Sequence, residues 1–302
     1  MCRTYSKLAA ISFTLFFSTI SQANEVKFNV SVNAGLLNDS RLTIAELDQV
    51  SNQADVALSS GVKAGMNWQP NADWNVKLSY GLDQKNYQDF DEYDLFTQQL
   101  NMGVERKFSG FNLGVNYLNV SADLDGQDFL ALNQVSVYWS NLINNRYFFR
   151  VATDITDKEF ALFSGRNADN LNINGQAFVF FDNAERFVML GVGQEWEDSQ
   201  NALYQYEQQH IQANFSQKWQ WFGANQVQLK LQAKQRDYDQ FTIQESGLRE
   251  DTLYSVGVNW QHDFNPEWSI KTDISYKDNQ SNFTVADYDE TLTSVMLHYS
   301  YR

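Results

Sequence analysis

The chain has 302 residues, with 22 Lys and Arg against 37 Asp and Glu and a formal net charge of −15. Such acidity excludes general nucleic-acid binding, which needs a basic face to neutralise phosphates. Aromatic residues make up 15% of the chain, there are two prolines, and mean hydropathy is −0.48. That composition suits a β-rich protein with many exposed polar positions.

Residues 1–23 read as a secretory signal peptide, with Arg3 and Lys7 in a basic start, an apolar stretch from Leu8 to Ile20, and Ser21-Gln22-Ala23 as a small-x-small cleavage site. The apolar stretch is too short for a transmembrane helix, and no later segment approaches the length needed. Cys2, the one cysteine, belongs to this leader and precedes the apolar stretch, so it is not placed like a lipoprotein anchor. Disulfides, cysteine zinc sites and cysteine nucleophiles are thereby excluded from the rest of the chain. Without Arg3 and Lys7 the net charge becomes −17. Residues 24–302 are expected to form one domain, since no domain boundary, low-complexity stretch or short internal repeat interrupts them.

A two-residue rhythm then sets in. Val26, Phe28, Val30 and Val32 open it, Val56, Leu58, Val62, Ala64, Met66 and Trp68 repeat it, and Val295, Leu297, Tyr299 and Tyr301 close it. Alternation of apolar and polar side chains gives strands with one apolar and one polar face. Strands are predicted near 26–34, 56–68, 74–84, 96–107, 111–122, 131–141, 146–155, 169–181, 187–196, 207–221, 226–237, 251–263, 268–278 and 290–301. Short connections at Gln69–Asp73, Phe108–Gly110, Leu142–Asn145, Asp182–Arg186, Phe222–Asn225 and Phe264–Glu267 alternate with long ones near 36–55, 85–95, 123–130, 156–168, 197–206, 238–250 and 279–289. Trp68, Trp74, Trp139, Trp219, Trp221, Trp260 and Trp268 sit at or near short turns, and only Trp196 lies at a long-loop end. Outer-membrane barrels have even strand numbers, short periplasmic turns, long external loops and aromatic girdles where an indole meets both lipid and water. The expected fold class is therefore all-β: a single antiparallel up-and-down transmembrane β-barrel of about 14 strands (12–16), in the Gram-negative outer membrane. Its expected surroundings are outer-membrane lipid, lipopolysaccharide and the barrel-assembly machinery.

Assigning the apolar parity of each strand to lipid puts the other parity in the lumen. That inward set holds Lys27, Lys63, Lys77, Lys107, Arg146, Arg150, Lys218, Lys230, Lys234, Arg236, Lys271 and Lys277 against Asp83, Glu105, Asp154, Glu195 and Asp273. Twelve bases against five acids predict a lumen that favours anions, with Arg146, Arg150, Lys218, Lys230, Lys234 and Arg236 as the selectivity candidates. The alternative is a closed interior in which these bases pair with the acids and an Asn/Gln network. Phe148, Phe178, Phe180, Tyr138, Met189 and Met296 share the inward parity and would narrow the bore. The seven long loops hold twenty acids and five bases, a solvated surface or a place for divalent cations. Asp123, Asp125 and Asp128, around Gly126, form the one local calcium candidate, although the full calcium-loop pattern is absent. Segment 156–168 is nearly neutral, and its Phe160, Leu162 and Phe163 are expected either to constrict the mouth or to pack on neighbouring loops.

Catalysis is not expected. His298 and His210 have inward parity and His262 the outward one, but none has a Ser/Asp partner in a recognisable motif, and HExxH, GxSxG and P-loop patterns are absent. No cofactor is expected either.

Ser164-Gly165-Arg166-Asn167-Ala168, Arg249-Glu250-Asp251, and Asn282 followed by Asp287-Tyr288-Asp289-Glu290 resemble segments of the fourteen-stranded C-terminal barrel of surface lipoprotein assembly modifiers. The terminal Leu297-His298-Tyr299-Ser300-Tyr301-Arg302 looks like a barrel-assembly signal, with its last aromatic one place early. Those modifiers typically carry a helical-repeat domain ahead of the barrel, for which the short distance from leader to first strand leaves no room here. The resemblance implies an export or surface-assembly accessory with a periplasmic or lipoprotein partner. The first-ranked expectation is nevertheless a narrow channel for small, anion-favouring hydrophilic solutes, which the basic lumen supports; the accessory is its alternative, and a structural or surface-binding barrel with a plugged lumen is the third.

Overall fold

The computed structural model describes residues 25–243 and 247–301; the leader over 1–23 lies outside them. Fourteen antiparallel strands close into one barrel: β1 (Glu25–Asp39), β4 (Asp55–Gln69), β5 (Trp74–Tyr87), β6 (Leu95–Phe108), β7 (Phe111–Leu124), β8 (Gln127–Ile143), β9 (Tyr147–Phe160), β10 (Ala168–Phe181), β11 (Arg186–Ser199), β12 (Tyr206–Gln220), β13 (Ala224–Ile243), β14 (Gly247–Asp263), β15 (Trp268–Ser281) and β16 (Tyr288–Tyr301). Two short strands, β2 (Thr43–Ile44) and β3 (Gln49–Val50), pair with each other inside the first long connection. Each barrel strand pairs with its chain neighbours, and β1 closes the ring by pairing with β16, from Val30↔Tyr301 to Asp39↔Leu292. Closure gives every barrel strand a partner on both sides among the described residues, β1 meeting β16 from Val30 outward, the condition for a sheet to cross lipid.

Side-chain parity follows the sequence. On β1, Val26, Phe28, Val30 and Val32 are exposed on the outside, and on β14 the same holds for Tyr254, Val256, Val258 and Trp260. The intervening positions, such as Lys27, Asn29 and Asn33 on β1, turn to the lumen. The seven girdle tryptophans all take the outward parity or a short turn. Trp268 packs on Tyr299 with ring centroids 4.9 Å apart, and Arg106 lies 5.3 Å over Trp74. Both prolines fall in these turns, outside the hydrogen-bond ladder that their missing N–H could not join. Asn71 beside Pro70 accepts from the backbone N–H groups of Asp73 and Trp74, and Asn265 beside Pro266 does the same for Glu267 and Trp268. Two equivalent side-chain turns thus start a Trp-led strand each.

The strands run further outward than the apolar alternation does. Each barrel strand has at least 14 residues and β13 has 20, against about 9–11 needed to cross a bilayer. The expected long loop at 123–130 is a two-residue turn, Asp125-Gly126, with φ of +51° and +67°, which Asp-Gly adopts readily. The segment 238–250 is largely a projecting hairpin of β13 and β14, and 156–168 shrinks to a connection over 161–167. Above the lipid a strand needs no apolar face, so the pattern stops where the lipid stops while the ladder continues.

Candidate functional site: a lumen closed at its outer mouth

The connection over residues 40–54 folds into the barrel. Its two short strands pair Thr43 with Val50 and Ile44 with Gln49, and a single 3-10 turn, Ala45–Leu47, forms the tip. Leu42 donates its N–H to the Gln53 carbonyl at 3.1 Å and accepts from the Ser51 N–H at 2.8 Å, so the segment is a small preformed body. Leu42 is 1% exposed, and Leu47 is buried in a cluster with Ala122, Phe129 and Phe160, against which Ile44, Leu95, Leu124 and Leu130 pack. Apolar residues in an otherwise polar connection thus find their burial on the inner wall of β6 to β9.

The tip ends on Asp48, whose φ of +53° turns its carboxylate away from the hairpin. Arg249 of β14 donates to Asp48 Oδ1 at 2.7 Å and Oδ2 at 3.2 Å, and to Asp251 at 2.7 and 3.0 Å. Arg166, from the β9–β10 connection, donates to Asp48 Oδ2 at 2.7 Å and to the Glu46 carbonyl at 2.8 Å. Arg249 is 1% exposed and is walled by Tyr238, Phe241 and Phe283 at 4.3, 5.3 and 5.0 Å from their ring centres. Arg166 stacks 4.0 Å over Tyr204. Planar, always-charged guanidinium groups suit bidentate pairing with stacking at once. Burial alone would raise the Asp48 carboxyl's pKa, yet hydrogen bonds and charge from Arg249, and then Arg166, hold it below the usual carboxylate range. Cavities of about 300 and 210 Å³ remain on either side of the tip, both bordered by Ala45, Glu46, Asp48 and Arg236.

Below the tip the wall is charge-compensated. Lys158 pairs with Glu197, and Lys277 with Glu290 at 2.8 Å. Glu195 accepts from Asn170, Tyr206 and Gln208 at 2.7–3.1 Å. Arg236 stacks 4.1 Å over Tyr206 and donates to Gln208. Glu197, which the sequence assigns to an external loop, and Asp251 and Glu290, which it puts at the first positions of two strands and leaves out of the inward set, therefore face inward and offset part of the basic excess.

Toward the short turns the balance changes. Lys63, Lys77, Arg150 and Lys230 have no ion-pair partner within 4 Å among the described residues. Arg150 stacks 4.5 Å over Tyr138, whose hydroxyl donates to Glu105 at 3.0 Å. A recess of about 560 Å³ is lined here by Lys63, Lys77, Asn101, Asn116, Arg150 and Asp154. Phe148, Phe178 and Phe180 join Phe187 in one ring cluster, with centroids 5.6–6.1 Å apart, on the wall of β9 to β11.

Several placements correct the sequence expectation. Arg146 lies in the β8–β9 turn, exposed, over the rings of Tyr147 and Phe181, so it does not line the lumen. Lys218 keeps the inward parity but is exposed at the inner rim. Lys230, Lys234 and Arg236 share one inward face of β13. The constriction is not at Leu162 and Phe163, which are 69% and 39% exposed, although Phe160 does face in and seats the inserted segment. The backbone of the short connection 161–167, exposed over 161–164, has no length to enter the bore and sends in only the Arg166 side chain, whereas 40–54 has that length. Asp123, Asp125 and Asp128 flank a tight hairpin, and no group of three acidic or histidine side chains able to hold a metal ion occurs among the described residues.

Asp48, Arg166 and Arg249 were not singled out as a site by spacing. Leu42, Ile44, Leu47 and Val50 within one loop were the available signal. Arg166, Arg249, Asp251 and Glu290 do sit in the three segments that carry the family resemblance; the first three join Asp48 in one cluster at the outer mouth, while Glu290 pairs with Lys277.

A closed even-stranded barrel with an apolar outer face, a one-sided tryptophan girdle and a polar lumen is an outer-membrane β-barrel protein. Its fold is similar to that of an anion-selective porin from Comamonas acidovorans (9% identity, TM-score 0.54, covering 92% of this chain and 100% of the porin). It is similarly like OmpT, an outer membrane protein of Vibrio cholerae (8%, 0.54, 93% and 100%), and OprB of Pseudomonas putida (7%, 0.52, 91% and 94%). No curated protein matches the chain. The family described as surface lipoprotein assembly modifier matches residues 24–301, and the chain belongs to it.

Proposed function

We propose that this barrel is a non-enzymatic outer-membrane accessory in the surface assembly of lipoproteins, acting with a periplasmic or lipoprotein partner. Membership of the family across the whole barrel, residues 24–301, is the observation that carries this reading. An outer mouth closed by residues 40–54 is compatible with it and speaks against a permanently open, wide pore. The test is deletion of its gene in the native host followed by protease shaving of intact cells. Loss of particular lipoproteins from the surface at unchanged total amount is the expected result; an unaltered surface set would overturn the reading.

A second reading, a narrow anion-favouring passage, is favoured by the inner-half bases without ion-pair partners. Lining charge of one sign sets selectivity. Replacing Lys63, Lys77, Arg150 and Lys230 together by Gln should move the reversal potential in a salt gradient toward cation preference. An unchanged potential would remove the assignment.

A further inference from the structure

We infer that residues 40–54 form a displaceable plug, latched in the outer mouth by Asp48 between Arg166 and Arg249, and that its release opens the lumen. Four observations converge on a device that moves as a unit.

The segment carries its own hydrogen bonds. Thr43 and Val50 pair, and Leu42 exchanges bonds with Ser51 and Gln53, so leaving the lumen costs it no internal structure. Its outward anchor is equally self-contained: Ser40 donates its N–H to the Thr291 carbonyl at 2.9 Å and accepts the Thr291 N–H on Oγ at 2.7 Å. Those bonds hold the base of the hairpin on β16 whatever the tip does.

The tip is held by few groups, and they come from far apart. Arg166 belongs to the connection between β9 and β10, across the ring from β1, whereas Arg249 rises from β14. One carboxylate therefore ties together three segments that the barrel wall does not otherwise join, and losing it would remove all three of its bonds to the two arginines, leaving the tip only the bond from Arg166 to the Glu46 carbonyl among their contacts.

The fit around the tip is incomplete. Cavities of about 300 and 210 Å³ flank Ala45, Glu46 and Asp48, where a permanent core would be filled. The apolar seat of Leu47 is confined to one side, on β6 to β9.

Beneath the plug a recess of about 560 Å³ is lined by Lys63, Lys77, Asn101, Asn116, Arg150 and Asp154, a polar, charged wall suited to an aqueous passage, and the ring cluster of Phe148, Phe178, Phe180 and Phe187 covers only the side formed by β9 to β11. A plug over a lumen already filled with apolar side chains would have nothing to open.

The experiment is single-channel recording of refolded full-length barrel in planar bilayers, on wild type, Asp48→Asn, Asp48→Glu and a shortened form in which Thr43–Val50 is replaced by a short Gly-rich link. Leu42 and Ser51 are already hydrogen-bonded, so the link spans no new distance. Heat-modifiable mobility on gels establishes that each variant is folded. Wild type should show rare or small openings, the shortened form steady openings of several-fold larger conductance, and Asp48→Asn a raised open fraction that Asp48→Glu largely restores to the closed state. Equal conductance of wild type and the folded shortened form would overturn the inference, and so would silence from both. Because the readout is ionic current, this result is independent of whether lipoproteins change at the cell surface.

Discussion

At the scale of single residues, Arg249 is the group on which most of the outer mouth depends. It is buried, doubly paired to Asp48 and Asp251, and enclosed by three aromatic rings. Replacing it by Gln would leave Asp251 buried without its base and Asp48 with Arg166 alone. Breaking a buried ion pair from one side costs about 3–5 kcal/mol, more than docking of a short loop can absorb. Arg249→Gln should therefore undock residues 40–54 and speed tryptic cleavage after Arg41, while Arg249→Lys, lacking the fork, falls between it and wild type. Asp48 adds a pH signature. Its folded pKa is depressed, so its contribution to docking is complete above the free carboxylate value of about 4 and is lost only as pH falls through the lower, folded value. Facing it are Arg166, Arg249, Asp251 and Tyr238, with Glu46 on its own segment. A dye on Gln49→Cys should report unchanged docking from pH 7 to 5 and release only under stronger acid; release near pH 6 would contradict the latch. None of this was visible from spacing, because 201 positions separate Asp48 from Arg249 and only the folded barrel makes them neighbours.

At the scale of elements, alternation made the strands legible and their outer ends illegible. Between Val32 and Leu36 on β1, or Val256 and Trp260 on β14, the pattern reports lipid contact. Beyond Asp237 on β13 it falls silent although the ladder runs to Ile243. The seam between β1 and β16 carries its own constraint. An added Cβ on Gly35 would lie 2.0 Å from the Val295 carbonyl oxygen and 2.7 Å from the Met296 Cα, both backbone atoms that no rotamer change can move. Gly35→Ala should push β1 from β16 and lower the temperature at which the folded gel band is lost by several degrees, whereas Ser31→Ala on the same strand should leave it in place.

At the scale of the molecule, the chain shows two unlike ends. Short turns, seven tryptophans and the exposed Phe222 mark the inner side; projecting hairpins and an acidic rim mark the outer. A membrane-impermeant maleimide on intact cells should label Leu162→Cys, which is 69% exposed in an outer connection, and spare Phe222→Cys, which is 88% exposed in an inner turn, until the outer membrane is permeabilised. The reverse pattern would invert the orientation. Charge is likewise divided by height. Lys158 and Lys277 toward the outer mouth find acids on extended strands, Lys63, Lys77, Arg150 and Lys230 further in have no such partner among the described residues, and a census by parity alone merges the two.

The barrel itself, its strand number, its two-sided parity and its tryptophan girdle follow from the sequence, because each rests on a local period matched to a lipid–water boundary that every strand meets separately. Which loop enters the lumen, where Asp48 finds two arginines and which bases stay unpaired were decided by tertiary structure alone. Those contacts depend on what lies across the bore, and closure of the ring brings together side chains that no local period relates.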